Sequence, residues 1–171
     1  MAELSPQERL QPALLDRLTD EDPDTKVEGS DKRVLNKAQL RQAVLRDLAW
    51  LFNTTTLESG EDLSSTPYVQ RSVLNFGLPA LAGETASTLD PTDLERAVRE
   101  AILAYEPRIL PSSLRVRTIV TETQLDQHNV VSVEIEGFLW AQPVPLEMLL
   151  RTELDLETGR VEITDLAKSR G

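Results

Sequence analysis

The chain has no cysteine among its 171 residues and only one histidine, His128. Without thiolates it can form no disulfide, no iron–sulfur cluster and no thiolate zinc site. A single imidazole cannot build a histidine-based metal cluster, and no motif around His128 supports a Ser-His-Asp arrangement. The seven glycines are scattered rather than grouped into a phosphate-binding loop. We therefore expect a protein that needs no cofactor.

Basic residues are few relative to acidic ones, with 18 lysines and arginines against 29 aspartates and glutamates. This balance argues against nucleic acid and anionic membrane surfaces as partners, because both attract clustered lysine and arginine. Long apolar runs are absent, and the first residues lack the basic and apolar regions of a signal peptide. The sequence therefore predicts a soluble cytoplasmic protein with no direct membrane insertion.

The hydrophobic pattern changes its period at residues 105–111. Before this point apolar residues recur every three or four positions, and after it they alternate. Pro107 and Pro111 end the helical part and hold the exit extended, because proline fixes its own φ and restricts the preceding residue. The sequence predicts an α+β fold in which N-terminal helices pack on a C-terminal antiparallel β-meander of about four strands.

The same reading divides the chain into three parts. Residues 1–35 form an arm with a short helix and an acidic linker, residues 36–165 form the α+β domain, and residues 166–171 form a flexible tail. The arm helix, over residues 11–18, carries an apolar stripe of Leu14, Leu15 and Leu18 that is too small to fold alone. We expect this stripe to dock either on the core or on a partner.

Two longer helices have clear start signals. Asn36 followed by Gln39 forms a capping box and predicts a helix over residues 37–52. Asp90 followed by Pro91 predicts a second helix that ends near Tyr105.

A shorter helix is predicted from residue 66, with Gly77 as its C-terminal cap. Its apolar positions are Val69, Val73, Leu74 and Phe76.

The strand region contains four alternating segments, over residues 114–120, 131–140, 148–156 and 160–164. A turn over residues 124–129 joins the first pair, and a hairpin turn over residues 157–159 joins the last pair. Gly137 is expected to bend or bulge the strand, which shifts the register before Phe138 and Trp140, and Phe138 is expected in the core.

Glu106 is the best candidate for a catalytic acid, because the corner after the second long helix can be buried. Glycoside hydrolysis needs two carboxylates that flank a cleft, and its acid must be protonated. Arg108 lies two residues away and favours the ionised form, so catalysis is disfavoured. Two roles then stay open for the Glu106–Arg108 pair. It is either an internal ion pair that braces the turn or a source of charge-assisted hydrogen bonds to a partner.

Four segments of the chain resemble the TssE family, which are baseplate proteins of bacterial type VI secretion systems. These segments are residues 14–18 (LLDRL), 71–77 (RSVLNFG), 106–110 (EPRIL) and 150–153 (LRTE). The family is similar to a baseplate wedge protein of contractile phage tails that is often labelled lysozyme-like. The resemblance implies a small non-enzymatic α+β domain. Peptidoglycan muramidase, a lysozyme-like glycoside hydrolase, is the alternative that the old label suggests.

The resemblance also implies partners. These are the wedge proteins TssF and TssG, TssK, and the sheath subunits TssB–TssC, in a six-fold hetero-oligomeric baseplate at the inner face of the cytoplasmic membrane. Glu106, Pro107 and Arg108 match the family's Glu-Pro-Arg motif, which is linked to holding the wedge core.

A hypothesis for sheath nucleation follows, in which the last hairpin shares a strand with a sheath subunit. Its edge residues are Val161 and Ile163, and charged residues such as Arg151 and Glu153 blunt the edge in the free protein. Leu14, Leu15 and Leu18 of the arm would dock on a wedge partner.

Overall fold

The computed structural model describes residues 13–18, 35–81, 89–119, 129–141 and 144–166. The helices are α1 (Leu14–Leu18), α2 (Lys37–Phe52), α3 (Pro67–Gln70) and α4 (Pro91–Tyr105), with 3₁₀ turns at Leu57–Ser59 and Val73–Asn75. The strands are β1 (Arg115–Ile119), β2 (Val130–Leu139), β3 (Leu146–Asp155) and β4 (Val161–Asp165). The predicted α+β order is confirmed. Within these residues no helix is both long and apolar enough to cross a membrane.

Both long helices begin where their capping residues predict. The Asn36 side chain accepts from the backbone N–H of Gln39 at 2.9 Å, and the Gln39 side chain accepts from the backbone N–H of Asn36 at 3.0 Å. The Asp90 carboxylate accepts from the backbone N–H of Thr92 at 2.8 Å. These bonds satisfy N–H groups that the first turn of a helix leaves unpaired, so they fix where α2 and α4 start.

The four strands form one antiparallel sheet in the order β1-β2-β3-β4, which confirms the predicted meander. Helix α4 packs against β1 and helix α2 packs against β4. Alternate residues of β3 are buried against these helices, as the period-two pattern requires. The largest fully buried side chains are Leu48, Leu51, Ile102, Ile109, Ile135, Leu139, Leu150 and Leu156.

The predicted bulge at Gly137 is wrong. Pairing between β2 and β3 runs without interruption from Val130 opposite Asp155 to Leu139 opposite Leu146. Gly137 instead faces inward, where an added Cβ would meet Ile109 at 3.6 Å. This distance is an ordinary van der Waals contact, so neither a bulge nor a steric clash requires glycine at this position.

Because the alternation continues past Gly137, the next aromatic residues point outward. Phe138 was expected in the core, but it is exposed, as is Trp140. Both follow the outward phase of Glu134 and Glu136 along β2.

The segment after residue 66 is also less helical than its pattern predicts. Helix α3 ends at Gln70, and Val73 and Leu74 are exposed rather than buried. The buried residue of the following turn is Asn75, whose side chain accepts from the Glu58 N–H at 2.9 Å and donates to the Gln70 carbonyl at 3.1 Å. A buried amide that satisfies the loop backbone therefore replaces the expected apolar stripe.

Gly77 does not act as a helix cap. Its φ is +136°, and the chain there runs against the end of α2, where Leu78 N–H donates to the Thr54 carbonyl at 2.8 Å. A Cβ at this position would lie 2.3 Å from the Thr54 carbonyl oxygen. Glycine is required both by the backbone conformation and by the close approach.

Several predicted features fall outside the described residues. These are most of the arm and its linker, the turn with His128, and residues 167–171 of the tail. Leu166, the first residue assigned to the tail, still donates its N–H to the Leu149 carbonyl at 2.9 Å. The division into arm, domain and tail stays a prediction.

Gly77→Ala should destabilise the fold by about 2–4 kcal/mol, because the new Cβ combines a strained φ with a clash against backbone. Gly60→Ala is the matched control, since its Cβ would come no closer than 4.0 Å to the Leu57 carbonyl oxygen. Urea unfolding of both variants measures the difference. Equal midpoints and slopes would contradict the close approach at Gly77.

Candidate functional site

The predicted corner after α4 is built around a buried carboxylate. Glu106 is the C-terminal cap of α4, and its residue is only 3% exposed. One carboxylate oxygen accepts from Arg108 Nε at 2.7 Å and from the Arg108 backbone N–H at 3.1 Å, and the other accepts from Nη2 at 2.5 Å. This two-point pairing is the geometry that guanidinium and carboxylate favour. The internal brace, one of the two roles left open by the sequence, is therefore present.

Backbone bonds join the same corner to the sheet. The Trp140 N–H donates to the Arg108 carbonyl at 2.7 Å, and the Leu110 N–H donates to the Phe138 carbonyl at 2.9 Å. Between them Ile109 forms an isolated antiparallel bridge with Leu139 and is fully buried. The extended segment between Pro107 and Pro111 thus forms a short antiparallel pairing with the end of β2.

Arg108 also reaches out of the corner to α2, where its Nη2 donates to Asp47 at 2.5 Å. Asp47 in turn accepts from Arg46 Nε at 2.9 Å, and Arg46 Nη1 lies 2.7 Å from Asp16 of α1. We call the five residues Glu106, Arg108, Asp47, Arg46 and Asp16 the charge chain. Its alternating signs connect the arm helix, α2 and the end of α4.

Both arginines of the charge chain stay protonated. Burial by itself disfavours the charged form of Arg108, but hydrogen bonds and charge from Glu106 and Asp47 outweigh it and raise the pKa of Arg108. The same balance, with Asp16 and Asp47 as partners, raises the pKa of Arg46. The Arg46 guanidinium also lies 5.2 Å from the ring centroid of Trp50, which is half exposed.

One donor of the corner is left over. Arg108 Nη1 is buried and has no hydrogen-bond acceptor within the part of the chain that the structure describes. Buried donors are normally satisfied, so an unpaired one marks either stored strain or an acceptor that another molecule supplies. Pro107, the middle residue of the motif, is exposed beside it.

The arm leucines do not pack on the core. Among the described residues, Leu14 and Leu18 are 72% and 74% exposed, whereas Leu15 is 42% exposed and therefore more than half covered. The ion pair from Asp16 to Arg46 attaches α1 to α2 on its polar side. Docking of the stripe on a partner stays a prediction.

The predicted strand edge is β4, an outer strand of the sheet. Its hairpin turn contains Gly159 at φ 71° and the Asp155 carboxylate, which accepts from the N–H groups of Thr158 and Glu157. These bonds stabilise the ionised form and lower the pKa of Asp155. The turn therefore holds β4 in register at its first residue.

The hydrogen-bond pattern between β3 and β4 determines which backbone groups of β4 point away from the sheet. The Asp155 N–H donates to the Arg160 carbonyl, and the Leu166 N–H donates to the Leu149 carbonyl. Bonded and non-bonded positions alternate in an antiparallel pair, so the N–H and carbonyl groups of Val161 and Ile163 point away from β3. The Val161 side chain is buried and that of Ile163 is half buried.

Arg151 and Glu153 lie one strand inward from this edge, on the outer face of the sheet. Arg151 pairs with Glu134 of β2 at 2.8 Å, and Glu153 is exposed opposite Glu162. They are therefore close to the β4 edge without forming it, and their role toward a partner stays a prediction.

Sequence reasoning missed four residues that organise these two regions, namely Asp16, Arg46, Asp47 and Asn53. The charged residues look like an ordinary solvated helix face. Asn53 follows α2 directly and could be recognised as a capping residue. Its bond to Val161, 108 positions away, has no counterpart in local sequence.

Within the described residues no three His, Cys, Asp or Glu side chains come together as a metal site.

Comparison with known families places this geometry in context. The profile of the family described as baseplate wedge protein gp25 matches residues 38–144, which is more than half of the chain. The matched segment runs from α2 through the Glu-Pro-Arg corner and β2 to residue 144, just before β3. The match, which includes the corner residues, defines a baseplate wedge protein. The chain belongs to the baseplate wedge protein gp25 family. No curated protein and no solved structure matches it.

Arg108→Met should destabilise the protein by about 3–4 kcal/mol, because it leaves the Glu106 carboxylate buried without its partner. Adding Glu106→Gln should recover part of that loss, since the buried charge is then removed. Arg96→Met is the matched control. Arg96 pairs with Asp93 at 2.7 Å with both side chains more than half exposed, and its loss should cost less than about 1 kcal/mol.

Chemical denaturation of the three variants and the wild type completes this test. A loss in Arg108→Met as small as that in Arg96→Met would contradict the structural role of the corner.

Proposed function

We propose that this protein is a TssE-type component of a type VI secretion baseplate, which binds the TssF–TssG wedge core and starts the TssB–TssC sheath. The observation that carries the proposal is membership of the baseplate wedge family over a segment that includes Glu106, Pro107 and Arg108. Membership supports the baseplate role, and the resemblance to TssE narrows it to a secretion system. A cytoplasmic place in a six-fold hetero-oligomer with TssK, at the inner face of the membrane, belongs to the same proposal.

The corner is the proposed contact with the wedge core. Glu106 and Asp47 hold the Arg108 guanidinium in one orientation, and Nη1 is the donor that they do not use. A carbonyl or carboxylate of the wedge core would satisfy that donor. Because Nη1 is buried in the free chain, binding there requires side chains around the corner to move. The corner would thus be both an internal brace and a partner contact.

The arm is the proposed second contact with the wedge. Asp16 fixes α1 to the charge chain while Leu14, Leu15 and Leu18 remain exposed. An apolar stripe held next to a charged contact has the anatomy of an interface, in which a hydrophobic core is surrounded by a polar rim.

The β4 edge is the proposed start of the sheath. Main-chain hydrogen bonds give affinity in strand addition and tolerate many side chains, so the edge can receive an extended segment of a sheath subunit. The outward-facing groups of Ile163 are available for this in the described part of the chain. Arg151 and Glu153 lie on the neighbouring outer face, where they can contact the same subunit.

A non-catalytic role is part of the proposal. Both oxygens of the Glu106 carboxylate are occupied by Arg108, whereas an acid catalyst must present a proton to substrate. Purified protein should leave peptidoglycan suspensions turbid. Clearing that Glu106→Gln abolishes would favour the muramidase alternative instead.

Ile163→Pro should reduce sheath assembly at least about tenfold, while the variant stays folded and co-purifies with TssF–TssG. Proline removes one outward N–H and leaves the β3–β4 ladder intact, which an edge strand tolerates. Ile163→Ala is the control, since it loses the side chain and keeps the N–H. Fluorescence microscopy of labelled sheaths and circular dichroism provide the measurements. Normal sheath assembly by folded Ile163→Pro would rule out strand addition at this edge.

A further inference from the structure

Asn53 makes an unusual contact with the outer edge of the sheet. Its side-chain Nδ2 donates to the Val161 carbonyl at 2.9 Å, and its Oδ1 accepts from the Val161 N–H at 3.0 Å. A primary amide carries one acceptor and two donors, so it can bind the N–H and carbonyl of one strand residue as a neighbouring strand does. Asn53 therefore occupies the position that an added strand would take at Val161.

The contact is accessible to competition. Asn53 is exposed, so water or another backbone can replace its amide without a large desolvation cost. The Asn53 side chain is not the only group that caps the C-terminus of α2, because the Asn53 backbone N–H also donates to the Ala49 carbonyl at 3.2 Å. Thr54 Oγ1 donates to the Trp50 carbonyl at 2.7 Å in the same turn. Displacing the Asn53 side chain would leave α2 with these C-terminal bonds.

A second contact with α2 constrains the other end of β4. Arg41 Nη1 lies 3.0 Å from the Asp165 carboxylate, and Arg41 also donates to the Glu147 carbonyl. Helix α2 thus holds β4 near both ends, and Ile163 between them carries the open outward groups. A cap at Val161 shortens the edge that is open to pairing, and strand pairing is stabilised by successive hydrogen bonds along an edge.

We propose that Asn53 is a displaceable cap on the β4 edge, and that an incoming strand must replace its amide at Val161 before pairing can extend through Ile163. The inference rests on the proposed strand addition by a sheath subunit. It adds a closed state, in which the cap protects the free protein from unwanted edge pairing, and an open state that accepts the strand. Protection of exposed edges is a general requirement of sheet proteins.

Amide hydrogen exchange in the isolated protein tests the cap without any partner. In Asn53→Ala the Val161 amide should exchange roughly fivefold faster relative to the Thr164 amide, because the hydrogen bond that the Asn53 side chain accepts from it is lost. Thr164 lies opposite Arg151 in the ladder and reports opening of β4 itself. Thr54→Val is the matched control, since it removes a neighbouring helix-end bond and should leave the Val161 ratio unchanged. An unchanged ratio in Asn53→Ala would overturn the cap.

Sheath assembly from purified wedges with TssB–TssC then tests the gating. Asn53→Ala should start roughly fivefold more sheaths per wedge at limiting sheath subunit, because a larger fraction of the protein is binding-competent. Thr54→Val should match the wild type. If Ile163→Pro blocks assembly while Asn53→Ala starts sheaths at the wild-type rate, the cap does not gate and the inference fails with the proposed function intact. If folded Ile163→Pro assembles sheaths normally, strand addition at β4 itself is wrong.

Discussion

The ion pair between Glu106 and Arg108 is the interaction on which the rest of this fold depends. A carboxylate buried at the end of a helix is costly unless a positive group meets it with good geometry. Arg108 does so from two residues away, which forces the chain to turn sharply after α4. That turn places Ile109 in the core and presents the Arg108 and Leu110 backbone to β2. The helical layer and the sheet layer are therefore joined at the point where the carboxylate is neutralised.

Arg108 extends this constraint beyond the corner. Its second carboxylate partner, Asp47, belongs to α2, and Arg46 continues the charge chain to the arm. Buried ion pairs often contribute little net stability compared with apolar packing, but their directional bonds fix orientation. We therefore interpret the charge chain as a device that fixes orientation rather than as a large source of stability. It orients α1, α2 and the corner relative to one another, and it leaves Nη1 of Arg108 as an unused donor.

Local pattern predicted much of the fold and less of the site. Capping residues and helical period located α2 and α4, and alternation located the meander, because those signals act within a few residues. Gly137 was misinterpreted because the uninterrupted pairing of β2 with β3 depends on the whole sheet and not on the residues next to the glycine. Val73 and Leu74 were expected to be buried because their spacing is helical, but the loop is held by Asn75 instead.

The contacts that define the site were less predictable still. Arg108 and Asp47 are 61 positions apart, and Asn53 and Val161 are 108 apart. The charges of Arg108 and Asp47 and the capping preference of Asn53 indicate that these side chains form ion pairs or hydrogen bonds. Which residues they bind is determined by the packing of α2 against both the corner and β4.

Helix α2 therefore connects the two surfaces of the proposed function. Asp47 contacts the corner and Asn53 contacts the β4 edge, six residues and ~9 Å apart along the helix axis. A wedge partner that engages Arg108 would act on Asp47, and a sheath strand that pairs with β4 would act on Asn53. Both binding events would therefore act on helix α2 or its C-terminal cap. Energetic coupling between them would require α2 to have two discrete positions. In the closed arrangement, the residues that hold the corner and those that protect the edge belong to the same helix. Under the proposed function, this arrangement keeps the edge covered at Val161 until an incoming strand replaces the Asn53 amide.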